Sequence, residues 1–218
     1  MKPDEVQMNV YAFFKSVKIS SHGLKTFRYF TEIQSIHGKG KPIGLVVMLN
    51  PGSAKPSLDD IAEKLVEQEY ETPDLVQVSP DNTMGKLKNL IQKLYENNLK
   101  SLPKKFTIHI ENLFNIKEQD SDAAKRLAVD IKGYDNLMFK ERQLENKYNF
   151  VFFAWGNSNL NIARQDSLKN KYSDKAIMVH KLKQKDRILE VNYPVHPLFM
   201  NSGYFLDASK NKIFENGI

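Results

Sequence analysis

The sequence predicts an α/β fold: a three-layer α/β/α sandwich with a mainly parallel central sheet and an N-terminal β-hairpin. Short runs at 43–49 and 150–155 are almost continuously apolar, the pattern of strands buried on both faces. Helical stripes alternate with these runs, which favours parallel strands joined by crossovers and a sheet covered on both sides. Polar groups stand at three strand ends, Asn50, Asn112 and Gly156-Asn157, and ligands of parallel sheets collect at the carboxyl ends of strands.

Residues 27–33 alternate enough for a strand, and His37-Gly38-Lys39-Gly40-Lys41-Pro42 supplies a turn. The expected hairpin therefore joins 27–33 to the central strand 43–49, which ends in Asn50-Pro51-Gly52. Ser57-Leu58-Asp59-Asp60 resembles a helix start with a capping serine, and Ile61, Leu65 and Val66 supply its apolar stripe. In 81–98, Met84, Leu87, Leu90, Ile91, Leu94 and Tyr95 recur at spacings of three and four, so one helical face packs inward. Residues 106–110 are β-branched and short, and run into Glu111-Asn112-Leu113-Phe114-Asn115. Residues 120–144 read as a helix broken near Gly133. The strand 150–155 ends at Gly156-Asn157-Ser158-Asn159, a helix follows to about Lys171, 176–180 is a short strand, and 193–198 is a loop.

The 218 residues are 41% hydrophobic, enough for one substantial core, and include no cysteine. Disulfides, thiolate metal sites and a cysteine nucleophile are excluded, and a reducing, cytoplasmic location is expected. No stretch resembles a signal peptide or a membrane span. His22, His37 and His180 show no paired spacing with acids or with each other, so no metal and no cofactor is expected; His109 reads as a sheet or core histidine, and Trp155 as core. Formal charge is +6, of which the window 164–187 carries +5, from eight basic residues against Asp166, Asp174 and Asp186. A solvated helix face and loop is the plain explanation of that window, and a phosphate-contacting rim is the functional one.

The motifs, in order, resemble the uracil-DNA glycosylase superfamily. Asn50-Pro51-Gly52 looks like its water-activating loop in the asparagine-proline-glycine version of the mismatch-specific members. The 106–112 segment looks like its strand ending in a base-reading asparagine. Val151-Phe152-Phe153-Ala154-Trp155-Gly156 is similar to its apolar strand ending in tryptophan-glycine, and His196-Pro197-Leu198 to its histidine-proline leucine loop. The same residues resemble more closely family 1643 of bacterial domains of unknown function, marked by Asn50-Pro51 with Ala54, Asn112-Leu113-Phe114, tryptophan-glycine and histidine-proline-leucine. The resemblance implies one α/β domain over 1–218, with a β extension at 1–42, a glycosylase-like core at 43–205 and a tail at 206–218.

What the resemblance implies about chemistry is hydrolysis of an N-glycosidic bond in DNA, more than RNA, at a modified or mismatched base, as in DNA repair. Asn50 would orient the water and His196 would donate to the departing base. Pro51, Gly52, Asn112, Phe114 and Leu198 would hold the base, with Asn112 reading its edge and Leu198, Phe199 or Met200 wedging into the vacated stack. Lys181, Lys183, Lys185 and Arg187 would contact phosphates. Gly52 stands where uracil-specific members carry a tyrosine, so no single base is implied. Asparagine cannot take a proton as a carboxylate does, which implies a slow enzyme. Two rival expectations stand beside this one: a non-catalytic binder of a nucleotide or damaged base, and a hydrolase of free nucleosides or nucleotides.

Overall fold

A computed structural model describes residues 7–97, 102–145, 148–184 and 187–210. The chain is mixed α/β, built on a sheet whose strands run in the order β4-β6-β1-β2-β7-β3-β8-β9, with β5 paired to β1. These strands are β1 (Met8–Ile19), β2 (Gly23–Ser35), β3 (Pro42–Met48), β4 (Lys55–Pro56), β5 (Tyr70–Glu71), β6 (Val76–Ser79), β7 (Thr107–Asn112), β8 (Phe150–Ala154) and β9 (Ala176–Met178). The sheet is mixed. β7, β3, β8 and β9 pair in parallel, whereas β7–β2, β2–β1 and β1–β6 are antiparallel.

The parallel strands owe their place to apolar side chains on both faces. In β3 and the residue after it, Val46 and Met48 face one core while Leu45, Val47 and Leu49 face the other; in β8, Phe150, Phe152 and Ala154 oppose Val151 and Phe153 in the same way. Fully burying each such side chain contributes about 1.5–3 kcal/mol. The first core is closed by α2 (Asn82–Asn97) and α6 (Ser202–Ser209), which packs Phe205 against Phe152. The second takes Ala124 from α3 (Ser121–Asp130) and Leu168 from α5 (Ile162–Lys171).

Several sequence expectations are met at the residue level. All six stripe positions of α2 are buried, and Asp81 caps it by accepting the Met84 N–H at 2.9 Å. The 120–144 helix is broken at Gly133, which takes φ +80 and separates α3 from the short α4 (Asp135–Met138). No helix follows Met138 in the described residues up to 145; that segment supplies Arg142 to the sheet instead.

Three expectations are corrected. The hairpin partner of β2 is β1, not β3: β7 inserts between β2 and β3, so 36–41 is a connection to a strand two positions away. Ser57 does not cap α1 (Asp59–Glu67). Its N–H donates to the Gln77 carbonyl beside the β4–β6 pair, leaving Leu58 at the cap position without a side-chain bond. Val66 points outward, 72% exposed, while Leu65 alone of the helix is buried.

The β1–β2 pair contains a bulge. Tyr11 pairs with Glu32 and Phe13 with Tyr29, so Ala12 faces the extra residue Phe30, whose φ is +51. Tyr29 and Phe30 both pack toward the second core, and their rings meet at 5.1 Å. Arg28 then falls on the opposite face from Tyr29. Beyond β9, β10 (Lys181–Gln184) and β11 (Arg187–Glu190) form a separate hairpin, and the Pro197–Phe199 turn leads into α6. No helix among the described residues is long and apolar enough to cross a membrane.

Candidate functional site

The carboxyl ends of β3 and β8, the start of α2, the start of α3 and the loop after β11 enclose one cleft of about 420 Å³. Asn50, Pro51 and Gly52 form one wall, Trp155, Gly156 and Asn157 another, and Tyr193, His196, Leu198 and Phe199 the rim. This convergence is what a parallel sheet produces, because β3 and β8 end side by side, Met48 opposite Ala154.

The loop 50–54 is held from two directions. The Asn50 amide donates through Nδ2 to the Glu118 carbonyl at 2.8 Å. A carbonyl only accepts, so this bond fixes the amide's orientation and leaves Oδ1 as its uncommitted acceptor. The Arg28 guanidinium, fully buried, donates to the Pro51 and Ala54 carbonyls. Burial lowers Arg28 to about 10, with Asp81 acting against that shift, so it stays charged at neutral pH. Gly52 takes φ +70, where other residues are strained, and a Cβ there would stand 3.0 Å from Asp81 Oδ2.

His196 is half-buried. Its Nδ1 accepts the Leu198 N–H at 3.4 Å, so the neutral ring carries its proton on Nε2. Burial lowers its pKa below the ordinary value, favouring the neutral imidazole, and the Asp81 carboxylate opposes this in part. Leu198 and Phe199 are exposed at 46% and 62%. Met200 is 3% exposed, buried in the first core, and is not available as a wedge.

Of the residues singled out from sequence, Asn50, Pro51, Gly52, His196 and Leu198 are therefore brought together. Asn112 and Phe114 are not among the lining residues. Phe114 is wholly buried in the second core, and Asn112 is 2% exposed, beside its register partner Met48. Met48 does line the cleft, and Asn112 Oδ1 is buried with no hydrogen-bond partner.

Among the described residues, the basic side chains of 164–187 are not gathered on one rim of the cleft. Arg164 is turned inward, donating to the Asn112 carbonyl at 2.7 Å and paired with Glu141 at 3.0 Å and Glu111 at 3.5 Å. Lys169 lies over the Trp155 ring, Lys171 donates to the Leu144 carbonyl, and Lys181 sits 3.6 Å from Glu190. Arg187 is exposed, Lys183 belongs to β10, and Lys185 lies outside the described residues. Lys125, on α3, is the basic residue that lines the cleft.

Sequence reasoning missed Asp81, Thr83, Gln119, Ser121 and Lys125 in the lining, and Arg28 beneath it. Pro80-Asp81-Asn82-Thr83 is legible as a helix start, and Arg28 as a charge set between Phe27 and Tyr29. Neither signal says that the residue faces a cleft. Among the described residues no group of three or more His, Asp or Glu side chains could hold a metal ion. Comparison with known families, with curated proteins and with solved structures finds no match to this chain.

Proposed function

We propose that the protein takes a base extruded from nucleic acid into this cleft and hydrolyses its N-glycosidic bond, on a three-layer α/β/α sandwich of the uracil-DNA glycosylase kind. The observation that carries the reading is the convergence of Asn50, Gly156-Asn157, His196 and Leu198 on one cleft at the ends of adjacent parallel strands. The free Oδ1 of Asn50 accepts a hydrogen bond from the attacking water. The Nε2–H of neutral His196 meets the negative charge that develops on the departing base. A planar base stacks on the apolar floor near Trp155, and one that displaces the flexible Met48 side chain meets the unpaired Oδ1 of Asn112. Leu198 and Phe199 stand exposed at the rim, as side chains that fill a vacated stack must. DNA is the partner favoured, in a cytoplasmic setting, with Lys125, Lys181, Lys183, Lys185 and Arg187 against phosphates.

The experiment is release of free base from duplex oligonucleotides carrying uracil, hypoxanthine, mismatched thymine or bulky modified pyrimidines. Release from at least one, reduced by changing Lys181, Lys183 and Lys185 to glutamate, is the expected result. No release, together with no salt-dependent binding, removes the reading. Release unaffected by those charge reversals points to a free nucleoside or nucleotide as substrate.

One observation favours a second reading, a binder that does not cut. The Asn50 amide is tied to Glu118 and cannot accept a proton. Under that reading Asn112→Ala abolishes binding to a base-bearing oligonucleotide that the wild type retains intact.

A further inference from the structure

We infer that Asp81, on a different element from Asn50, is the carboxylate that takes the proton from the attacking water; this rests on the hydrolytic reading above. The loop after β3 offers an amide where hydrolysis needs a base, and the same cleft contains a carboxylate. Asp81 lines it, half-buried, at the start of α2.

Its two oxygens have separate jobs. Oδ1 accepts the Met84 N–H at 2.9 Å, and the Asp81 carbonyl accepts the Gly85 N–H, so the side chain is fixed by the helix it caps. Oδ2 is turned toward the Asn50-Pro51-Gly52 loop, 3.0 Å from where a Gly52 Cβ would stand. Glycine at 52 keeps that approach open. Asp81 is also within electrostatic reach of both Arg28 and His196.

A water held between Asn50 Oδ1 and Asp81 Oδ2 meets one group that only orients and one that also accepts a proton. In the step, the water oxygen bonds to the anomeric carbon of the sugar and one of its protons passes to Asp81. The carbon–nitrogen bond breaks, and its electron pair leaves with the base, whose charge is met by His196 Nε2–H. The Asp81 proton is then returned to solvent. No other reactant is required, and the absence of a carboxylate at position 50 no longer argues for a binder.

Capping and catalysis are separable by substitution, because asparagine and serine cap helices as well as aspartate does. Asp81→Asn and Asp81→Ser should melt close to the wild type, whereas single-turnover base release should fall by about 10²–10⁴-fold, the usual share of a general base. Added formate should restore part of the Asp81→Ser rate and none of the rate of Asn50→Ala. Release by Asp81→Asn within a few-fold of wild type, on a substrate that Asn50→Ala no longer cleaves, overturns the role of Asp81 and leaves the hydrolytic reading standing. No release by the wild type from any substrate overturns both.

Discussion

Arg28 donates from the buried face of β2 to the main-chain carbonyl of Pro51, so a wall of the cleft rests on a guanidinium that sees no solvent. Removing it strands the Pro51 and Ala54 carbonyls and opens a cavity. Arg28→Met should cost about 2–4 kcal/mol in urea unfolding and loosen the loop. Faster amide exchange at 52–55, with exchange in α2 unchanged relative to global stability, is the expected signature. Equal exchange in both would show that Arg28 supports the whole core and not this loop.

Gly52→Ala combines a left-handed backbone with a methyl at 3.0 Å from Asp81 Oδ2. A loss of about 1–2 kcal/mol is expected, together with weaker ligand binding than that loss alone explains. Adding Asp81→Ser in the same chain, which keeps a cap but removes the atom the methyl meets, should leave the backbone part of the cost and relieve the steric part, a coupling that a double-mutant cycle reads.

Asn50→Asp is the change that would most simply supply a carboxylate, and the structure argues against it. An aspartate cannot donate to the Glu118 carbonyl and sets two acceptors against each other at the present 2.8 Å. The variant should lose about 1–3 kcal/mol at pH 7, regaining part of it in acid where the new carboxyl is protonated and can donate. A melting temperature equal to wild type across pH 4–7 would contradict the assigned amide orientation.

His109, in the middle of β7, shares a hydrogen bond with the Tyr148 hydroxyl at 2.9 Å. Burial lowers its pKa from 6.5 to about 4, aided by the charge of Arg142 and opposed by Glu32. The unfolded chain takes up this proton near pH 6.5 and the folded protein only near pH 4. Between those values the unfolded state holds more protons, so stability falls as pH falls. The contribution, on the order of 2–3 kcal/mol, is fully present above pH 6.5. His109→Gln should shrink the difference between unfolding free energies measured at pH 7 and pH 4.5.

Buried charge elsewhere in the sheet gives a further test. Arg142 reaches Glu111 at 2.6 Å and Glu32 at 3.1 Å, and both carboxylates are almost inaccessible. Arg142→Met removes the nearest cation from both, leaving Glu111 with Arg164 at 3.5 Å and Glu32 with Lys39 at 3.1 Å, and should destabilise by about 2–4 kcal/mol, whereas changing Arg142 to methionine together with Glu111 and Glu32 to glutamine should recover most of that. Urea midpoints of the single and triple variants decide it.

The elements most legible in the sequence are those whose apolar pattern has one interpretation. The α2 stripe from Met84 to Tyr95 is such a case, and so are the runs that became β3 and β8. β1 is not legible as a separate strand, because Tyr11 and Phe13 are apolar on the face opposite Val10, Ala12 and Phe14, which blurs the alternation. The hairpin was misassigned because neighbours in sequence were paired, whereas parallel pairing draws β7 in from more than fifty residues away. Within the cleft, Asn50 is legible because it follows a buried strand at its carboxyl end, and His196 only through the histidine-proline-leucine resemblance. Asp81 and Arg28 are not, since a helix cap and a charged strand residue carry the same local pattern on a surface as in a site.

The extra residue at Phe30 also makes β2 asymmetric toward changes in length. Shortening the strand by that one residue restores strict alternation from Arg28 through Tyr29, Thr31 and Glu32, so every remaining side chain keeps the face it now occupies, while the bend and the Phe30 ring contacts with Phe13 and Tyr29 are lost. Lengthening β2 by one residue between Phe27 and Arg28 has the opposite result: residues ahead of the insertion change sides while Arg28 stays in phase. A deletion variant lacking Phe30 therefore keeps Arg28 and both carbonyls it serves while changing the bend of the strand that carries it, and comparing its loop exchange with that of Phe30→Ala, which loses the same ring but keeps the extra residue, separates the aim of the support from the packing of the ring.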